Sequence, residues 1–63
     1  MDGYKERVIM EKSALDEKIG KLEGFVRTST FGAMHSDDAF LLRQQLITMR
    51  TYSGILEDRI ARF

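Results

Sequence analysis

The stretch TSTFGAMH, residues 28–35, interrupts an otherwise continuous helical pattern and decides the fold. It begins with three consecutive β-hydroxyl residues, whose side chains compete with the backbone for hydrogen bonds. Gly32 adds a second helix-breaking signal. Ser36 follows as a candidate N-cap, and Asp37 and Asp38 are placed to interact with the positive end of a helix dipole. This stretch therefore predicts a break between two helices.

Before the break, apolar residues recur at three-, four- and seven-residue spacing, which is the period of one helical face. This first stripe consists of Val8, Leu15, Ile19, Leu22 and Val26, with Tyr4 at its beginning. Asp2 is a candidate N-cap. Glu17 and Lys21, spaced i,i+4 in the favourable order, are expected to interact. The pattern predicts a helix over about residues 3–27.

The same period resumes after the break and predicts a second helix over about residues 37–62. Its stripe consists of Leu42, Leu46, Met49, Leu56 and Ile60, widened by Leu41, Tyr52 and Ile55. Because the break over residues 28–36 is short, the two helices should lie antiparallel as neighbours. The sequence thus predicts an all-α fold: one antiparallel helical hairpin over residues 1–63.

A chain of 63 residues is close to the lower limit for a stable single domain. A core of this size supplies only about 3–5 kcal/mol, and small domains usually add disulfides, a metal or partner chains. The sequence has no cysteine and one histidine, so it predicts no disulfide and no metal site. We therefore expect a homo-oligomer whose subunit interfaces are part of the core.

Composition also limits the function. Ten basic and ten acidic residues cancel, whereas nucleic-acid-binding domains usually carry a basic excess, so long DNA or RNA is not an expected partner. No apolar run reaches the about 18–20 residues of a membrane span, and no signal-peptide pattern is present. The absence of cysteine fits a reducing compartment. We expect a soluble cytoplasmic protein that is not an enzyme, since no catalytic constellation, phosphate-binding glycine loop or cofactor motif is present.

Two glycines, Gly20 and Gly24, lie one turn apart inside the first predicted helix. Each costs roughly 0.5–1 kcal/mol relative to alanine. Both face away from the stripe centred on Leu15, so packing within the hairpin does not explain them. Either they are tolerated surface residues, or another chain approaches closely there.

The first predicted helix carries four cationic residues near its stripe, of which Lys12 falls within the stripe's spacing and Arg7 and Lys18 lie on its edge: Arg7, Lys12, Lys18 and Lys21. One interpretation is that their stems cover apolar surface while the charges stay in water. The other is a ligand site. Tyr4 and Lys18 share one line of the helix about 21 Å apart, too far to hold one small ligand. Antiparallel pairing across a two-fold axis would bring Tyr4 of one chain to Lys18 of another, and so combine aromatic faces for bases with ammonium groups for phosphates.

On the second helix, Gln45, Tyr52 and Arg59 recur at seven-residue spacing along the flank of the apolar stripe. An arginine in that position needs a carboxylate, a phosphate or water. Arg59 therefore either pairs with an acid such as Glu57 or Asp58 of a neighbouring chain, or binds phosphate.

These residues also carry a family resemblance that covers Tyr4 to Phe63. The residues are Tyr4-Lys5-Glu6-Arg7-Val8-Ile9, Glu11-Lys12, Leu15-Asp16, Lys18-Ile19, Lys21-Leu22, Phe25-Val26, Leu41-Leu42, Gln45-Leu46, Met49, Tyr52, Ile55-Leu56 and Arg59-Ile60. This pattern resembles the phage anti-CBASS cyclic-oligonucleotide sponges. The resemblance implies a helical homohexamer in the cytoplasm of the infected bacterial host. It would bind cyclic di- and trinucleotide defence signals without cleaving them, and so prevent activation of the effector that kills the cell.

The resemblance also implies site residues. It assigns Tyr4 and a lysine, either Lys18 or Lys21, to a cyclic dinucleotide held between the first helices of two chains. Arg7 would lie nearby, and Arg59 would contact phosphate in a separate trinucleotide pocket. Gly20 stands where that second pocket would take a threonine. Two other functions remain open. Periodicity favours a helical-hairpin oligomerisation module without a nucleotide ligand. A regulator that binds DNA or RNA is the third candidate, and the neutral net charge speaks against it.

Overall fold

The structure, a computed structural model, describes residues 3–63. The chain forms two long helices, α1 (Gly3–Phe25) and α3 (Ser36–Ala61), and a short helix, α2 (Ser29–Gly32), between them. Contacts join the beginning of α1 to the end of α3, so the long helices are antiparallel. The resulting rod measures 49 × 14 × 13 Å. The prediction of an all-α helical hairpin is confirmed.

The break between the long helices is more ordered than the sequence indicates. The Thr28 hydroxyl donates to the Phe25 carbonyl oxygen at 2.7 Å and accepts from the Phe31 N–H at 3.2 Å. One side chain therefore satisfies backbone groups at both the end of α1 and the beginning of α2. Because Thr28 supplies this cap, residues 29–32 form a helical turn where the sequence predicts only a break.

The beginning of α3 requires a correction. His35, not Ser36, is the N-cap: its Nδ1 accepts from the Asp37 N–H at 3.1 Å, and Ser36 is the first helical residue. The imidazole nitrogen takes the part that a serine or aspartate oxygen usually plays. Asp37 and Asp38 lie in the first turn of α3 as expected. The N-cap predicted at Asp2 lies outside the described residues.

The core is a narrow seam between α1 and α3. The side chains that are at least nine-tenths buried are Val8, Ile19, Phe31, Leu46 and Leu56. The other residues of the two predicted stripes are half-buried along the same seam. The residues predicted to widen the second stripe are exposed instead: Leu41 by 63%, Tyr52 by 41% and Ile55 by 53%. Two helices have too little facing surface to cover them.

Polar contacts between α1 and α3 set the register of the two helices along their axes. The Lys12 ammonium lies 2.7 Å from Asp16 and 3.3 Å from Glu57 on α3. The Ser53 hydroxyl donates to Asp16 at 2.5 Å. We call these four residues the clasp. The pKa of Asp16 is lowered, mainly by the hydrogen bond that Lys12 donates and next by the one from Ser53. The pKa of Lys12 is raised, mainly by the same hydrogen bond to Asp16.

A second cross-helix ion pair lies nearer the turn, where Arg50 Nη2 is 2.7 Å from Glu23. The expected pair between Glu17 and Lys21 is absent from the ion pairs formed within residues 3–63. Lys21 therefore keeps its charge free of a carboxylate within the described chain. This affects the site described below.

Candidate functional site

A groove on the hairpin, about 380 Å³ in volume, brings together both lysines singled out from the sequence. On α1 its residues follow i, i+3, i+4 and i+7 spacing, which places them on one helical face. On α3 two residues one turn apart complete it. The lining residues are Lys18, Lys21, Leu22, Phe25, Gln45 and Met49. We call this the lysine groove.

The electrostatics of the lysine groove follow from its composition. Lys18 and Lys21 are both exposed, and neither forms an ion pair with an acid among residues 3–63. Leu22, Phe25 and Met49 give the floor an apolar surface, and the Gln45 amide is oriented by a 3.8 Å contact to the Met49 sulfur. Two free ammonium groups beside an apolar and aromatic floor suit a ligand that combines phosphates with flat rings.

Tyr4 lies in a different part of the hairpin. Its ring is 52% exposed and contacts Phe63, with ring centroids 5.7 Å apart. The Lys5 ammonium lies 5.7 Å from the centroid of the Phe63 ring. Tyr4 and Lys18 are about 21 Å apart along α1, given 1.5 Å of rise per residue. One chain does not bring the two residues together.

The two predicted arginines also lie apart from the lysine groove. Arg7 is exposed on α1, one turn after Tyr4, and Arg59 is exposed in the last turns of α3. Within residues 3–63, Arg59 forms no ion pair, and Glu57 contacts Lys12 instead. Arg7 and Arg59 therefore lie on the half of the hairpin that contains Tyr4.

Lys12 behaves as a structural residue. It lies within the spacing of the apolar stripe, and its side chain is only 21% exposed because it bridges Asp16 and Glu57. Both neighbouring carboxylates are needed to compensate an ammonium in that position. Its charge is therefore not free for a ligand.

A second groove, about 290 Å³, lies near the turn and is lined by Val26, Arg43, Leu46, Ile47 and Arg50. Its cations already have partners. Arg50 is paired with Glu23, and the Arg43 guanidinium lies 5.0 Å from the centroid of the Phe31 ring. This groove therefore has less free positive charge than the lysine groove.

Sequence reasoning did not assign a site role to Phe25, Gln45, Lys5 or Phe63. A signal for Phe63 exists: in an antiparallel hairpin, counting outward from the break brings the beginning of α1 opposite the end of α3. The same counting brings Gln45 and Met49 opposite the part of α1 that contains Lys21 and Leu22. The sequence did not give the geometry of the connection between α1 and α3, which includes the helical turn α2, and that geometry decides which residues of the two helices lie opposite each other.

A metal-ligand cluster and a membrane-spanning helix are both absent from the part of the chain that the structure describes. No group of three or more histidine, aspartate or glutamate side chains there is placed to hold a metal ion. Among the described helices, none is long and apolar enough to cross a bilayer.

Comparison with known proteins adds two findings. The model of the Sequestin family matches residues 2–62. A phage T4 protein, described as an uncharacterized 7.5 kDa protein in the denB-rIIB intergenic region, is 36% identical over 63 residues, which cover 100% of this chain and 98% of that protein. No solved structure matches the chain.

Proposed function

The chain belongs to the Sequestin family, and from that premise we propose that it sequesters cyclic dinucleotide signals without cleaving them. The family name itself indicates a sequestering role. The sequence resemblance to the phage anti-CBASS sponges supplies the ligand class, and the similarity to a phage T4 protein supports a role in an infected bacterium. There, in the host cytoplasm, the protein would keep the signal from reaching the defence effector.

The observation that carries the proposal is the lysine groove. A cyclic dinucleotide presents two phosphates and two flat bases, and the groove offers Lys18 and Lys21 without carboxylate partners in residues 3–63, beside the ring of Phe25. One of the two lysines would contact a phosphate, and Arg7 of a second, antiparallel chain would add positive charge. The ligand would be bound and released without cleavage.

A second chain would complete this site. Tyr4 is about 21 Å from Lys18 along α1, so the base-stacking residue would come from an antiparallel partner related by a two-fold axis, which matches the approximate symmetry of the ligand. Large apolar side chains left exposed on one hairpin support such assembly. They are Tyr4, Ile9, Met10, Phe40, Leu41, Ile47, Tyr52, Ile55 and Phe63. We propose the homohexamer that the resemblance implies.

The glycines of α1 support close approach of another chain. A Cβ added at Gly20 or Gly24 would meet nothing within 4 Å in the hairpin, so the single chain does not require glycine at either position. Alanine there should stabilise an isolated helix by roughly 0.5–1 kcal/mol each. If chains meet at this surface, the same substitutions will weaken the assembly, and native mass spectrometry of the double variant will detect the dissociation.

A trinucleotide pocket is the less supported half of the proposal. Arg59 would contact phosphate where several chains meet, and its lack of an ion pair among residues 3–63 is compatible with that role. Arg59→Ala should then lower affinity for cyclic trinucleotides while leaving dinucleotide binding unchanged. Equal effects on both ligands would remove the distinction between two pockets.

The decisive experiment is isothermal titration of the folded protein with a panel of cyclic di- and trinucleotides, with a DNA duplex as a negative control. We expect heat with at least one cyclic dinucleotide, none with the duplex, and recovery of the intact ligand by chromatography after denaturation. A folded multimer that releases no heat with any member of the panel would refute the proposal. Cleaved ligand would identify a phosphodiesterase instead.

Variants then locate the site. Lys18→Ala and Lys21→Ala each remove one ammonium from the groove, and the residue that contacts phosphate should lose at least about tenfold in affinity, as expected for a charge-assisted hydrogen bond. Arg27→Ala is the matched control, because Arg27 is exposed, cationic and outside the lining of the groove. Equal losses for all three variants would indicate only a general charge effect.

The alternative function is a helical-hairpin module that assembles without a nucleotide ligand. The exposed apolar side chains favour it as directly as they favour a hexameric sponge. The two functions differ in one respect: for the module, Lys18→Ala and Tyr4→Ala change nothing but stability. For the sponge, the same variants lose ligand affinity while the assembly keeps its mass.

A further inference from the structure

Tyr4 does not stand alone at its end of the hairpin. Its ring packs against Phe63, which follows α3, with centroids 5.7 Å apart and an angle of 57° between the ring planes. Tilted aromatic pairs at this distance are attractive beyond the area they bury. The contact therefore restricts the rotation of the Tyr4 ring.

The tilt leaves the Tyr4 ring available. The 57° angle between the ring planes shows that Phe63 is not stacked flat on the Tyr4 ring. Accordingly, 52% of Tyr4 is exposed despite the contact, compared with 38% of Phe63. Phe63 therefore contacts the Tyr4 ring while about half of the Tyr4 surface stays accessible to a base.

Phe63 is itself held in place. Its N–H donates to the Ile60 carbonyl oxygen at 3.0 Å, and the preceding Arg62 N–H donates to the Arg59 carbonyl oxygen at 3.1 Å. Its ring also has the Lys5 ammonium 5.7 Å from its centroid, within the range of a cation–π contact. One phenylalanine thus contacts both an exposed tyrosine and a cation next to it in sequence.

We infer that Phe63 is a positioning residue of the nucleotide site: its ring orients the Tyr4 ring for base stacking and holds the Lys5 ammonium at the same end of the hairpin, where it meets phosphate. This inference rests on the proposed function and extends it to two residues that the sequence reasoning did not assign. Stacking on a ring that is already oriented loses less entropy than stacking on a freely rotating one. Phe63 therefore raises affinity without touching the ligand.

The test is a double-mutant cycle on the full chain, with the cyclic dinucleotide that binds wild type most tightly as the probe. Phe63→Leu keeps apolar volume but removes the ring, and we expect it to weaken binding about two- to tenfold, the range of one aromatic pair. Phe63→Tyr keeps the ring and should retain wild-type affinity. In a Tyr4→Ala background, Phe63→Leu should lose less affinity than in wild type, because the part of its effect that acts through the Tyr4 ring is gone and only the part that acts through Lys5 remains.

A second readout follows the ring itself and needs no ligand. In a Tyr52→Phe background Tyr4 is the sole tyrosine, and the ring current of Phe63 should shift its ring-proton resonances, whereas the shift should be absent when Phe63→Leu is added to that background. Circular dichroism and native mass spectrometry on the same samples check that helicity and assembly are unchanged.

The possible results distinguish the positioning role of Phe63 from cyclic dinucleotide binding itself. If wild type binds no cyclic dinucleotide, both are refuted. If wild type binds but Phe63→Leu binds equally well, or loses as much affinity in the Tyr4→Ala background as in wild type, only the positioning role is refuted. Tighter binding by Phe63→Leu would overturn it too, since Phe63 would then be obstructing the Tyr4 ring.

Discussion

The two ends of the hairpin contain the same kinds of contact, an aromatic pair and a nearby cation, but differ in how far the rings are buried. At the turn, Phe25 meets Phe31 edge-on, with centroids 6.0 Å apart, and Arg43 lies 5.0 Å from the Phe31 centroid. At the other end, Tyr4 meets Phe63 at 5.7 Å, and Lys5 lies 5.7 Å from the Phe63 centroid. Each end has an aromatic pair with a cation near one ring. We call them the closed end and the open end.

Burial distinguishes them. Phe31 is 4% exposed, whereas Phe63 is 38% and Tyr4 52% exposed. At the closed end the connection through α2 carries Phe31 over the seam between α1 and α3, so the Phe31 ring is buried, while Phe25 is half-buried and lines the lysine groove. Among residues 3–63, no comparable segment covers Tyr4 and Phe63. The same contacts therefore contribute mainly to stability at one end, and at the other leave a ring surface that a ligand or partner can use.

The largest effect should come from removing the buried ring. Phe31→Ala should lose about 3–5 kcal/mol, the usual range for a buried phenylalanine, which equals the about 3–5 kcal/mol that a core of this size supplies. Urea denaturation followed by circular dichroism measures the change. Phe63→Ala is the matched control and should lose far less. Similar losses for both variants would show that the two ends do not differ in burial.

The next largest effect concerns the open end and binding. Tyr4→Ala should weaken cyclic dinucleotide binding by about 5- to 150-fold, since base stacking on an aromatic ring contributes about 1–3 kcal/mol. Tyr4→Phe keeps the ring face and should bind nearly as well as wild type. Titration calorimetry measures both affinities. Unchanged binding by Tyr4→Ala would exclude this end from the nucleotide site.

A smaller effect is expected from the cap that closes the turn. Thr28→Ala removes the hydroxyl that bridges Phe25 and the Phe31 N–H, and the loss should be about 1 kcal/mol. Thr28→Ser keeps the hydroxyl and should retain most of the stability. The midpoints of urea denaturation report both. A neutral alanine variant would mean that the burial of Phe31 alone holds α2 in place.

The smallest effect involves pH and the clasp, which lies toward the open end and sets its register. The folded-state pKa of Asp16 lies below its ordinary value of 3.8 because Lys12 and then Ser53 donate to the carboxylate. Its contribution to stability is therefore complete above pH 3.8 and is lost as pH falls through the lower folded-state pKa. Asp16→Asn should flatten this acid limb of the stability profile.

The clasp prediction has an alkaline counterpart and a control. The pKa of Lys12 is raised above 10.5, first by its bond to Asp16. Its contribution is complete below pH 10.5 and is lost as pH rises through the higher folded-state pKa. Asp58→Asn makes the same charge change at a residue with no ion pair in residues 3–63. If it flattens the acid limb as much as Asp16→Asn does, the effect comes from net charge and not from the clasp.

Several residues of the candidate site could be selected from the sequence, because their positions on α1 follow from the helical period. Lys18 and Lys21 sit on the first helix at positions that helical periodicity fixes, so their common side of α1 follows from spacing alone. Tyr4 follows from the same period. The helix N-cap at His35 did not follow, because Ser36 is the commoner capping residue type and the choice between neighbours depends on backbone geometry.

The sequence by itself determined the two long helices, the break between them, the faces that meet and the excess of apolar side chains over what one hairpin covers. These follow from periodicity, breaker residues and chain length, which act over a few residues at a time. Only the tertiary structure decided the pairing of Tyr4 with Phe63, the pairing of Lys12 with Glu57 and the lining of the lysine groove from both helices. These contacts join residues distant in sequence, and the length of the turn and the clasp set their register.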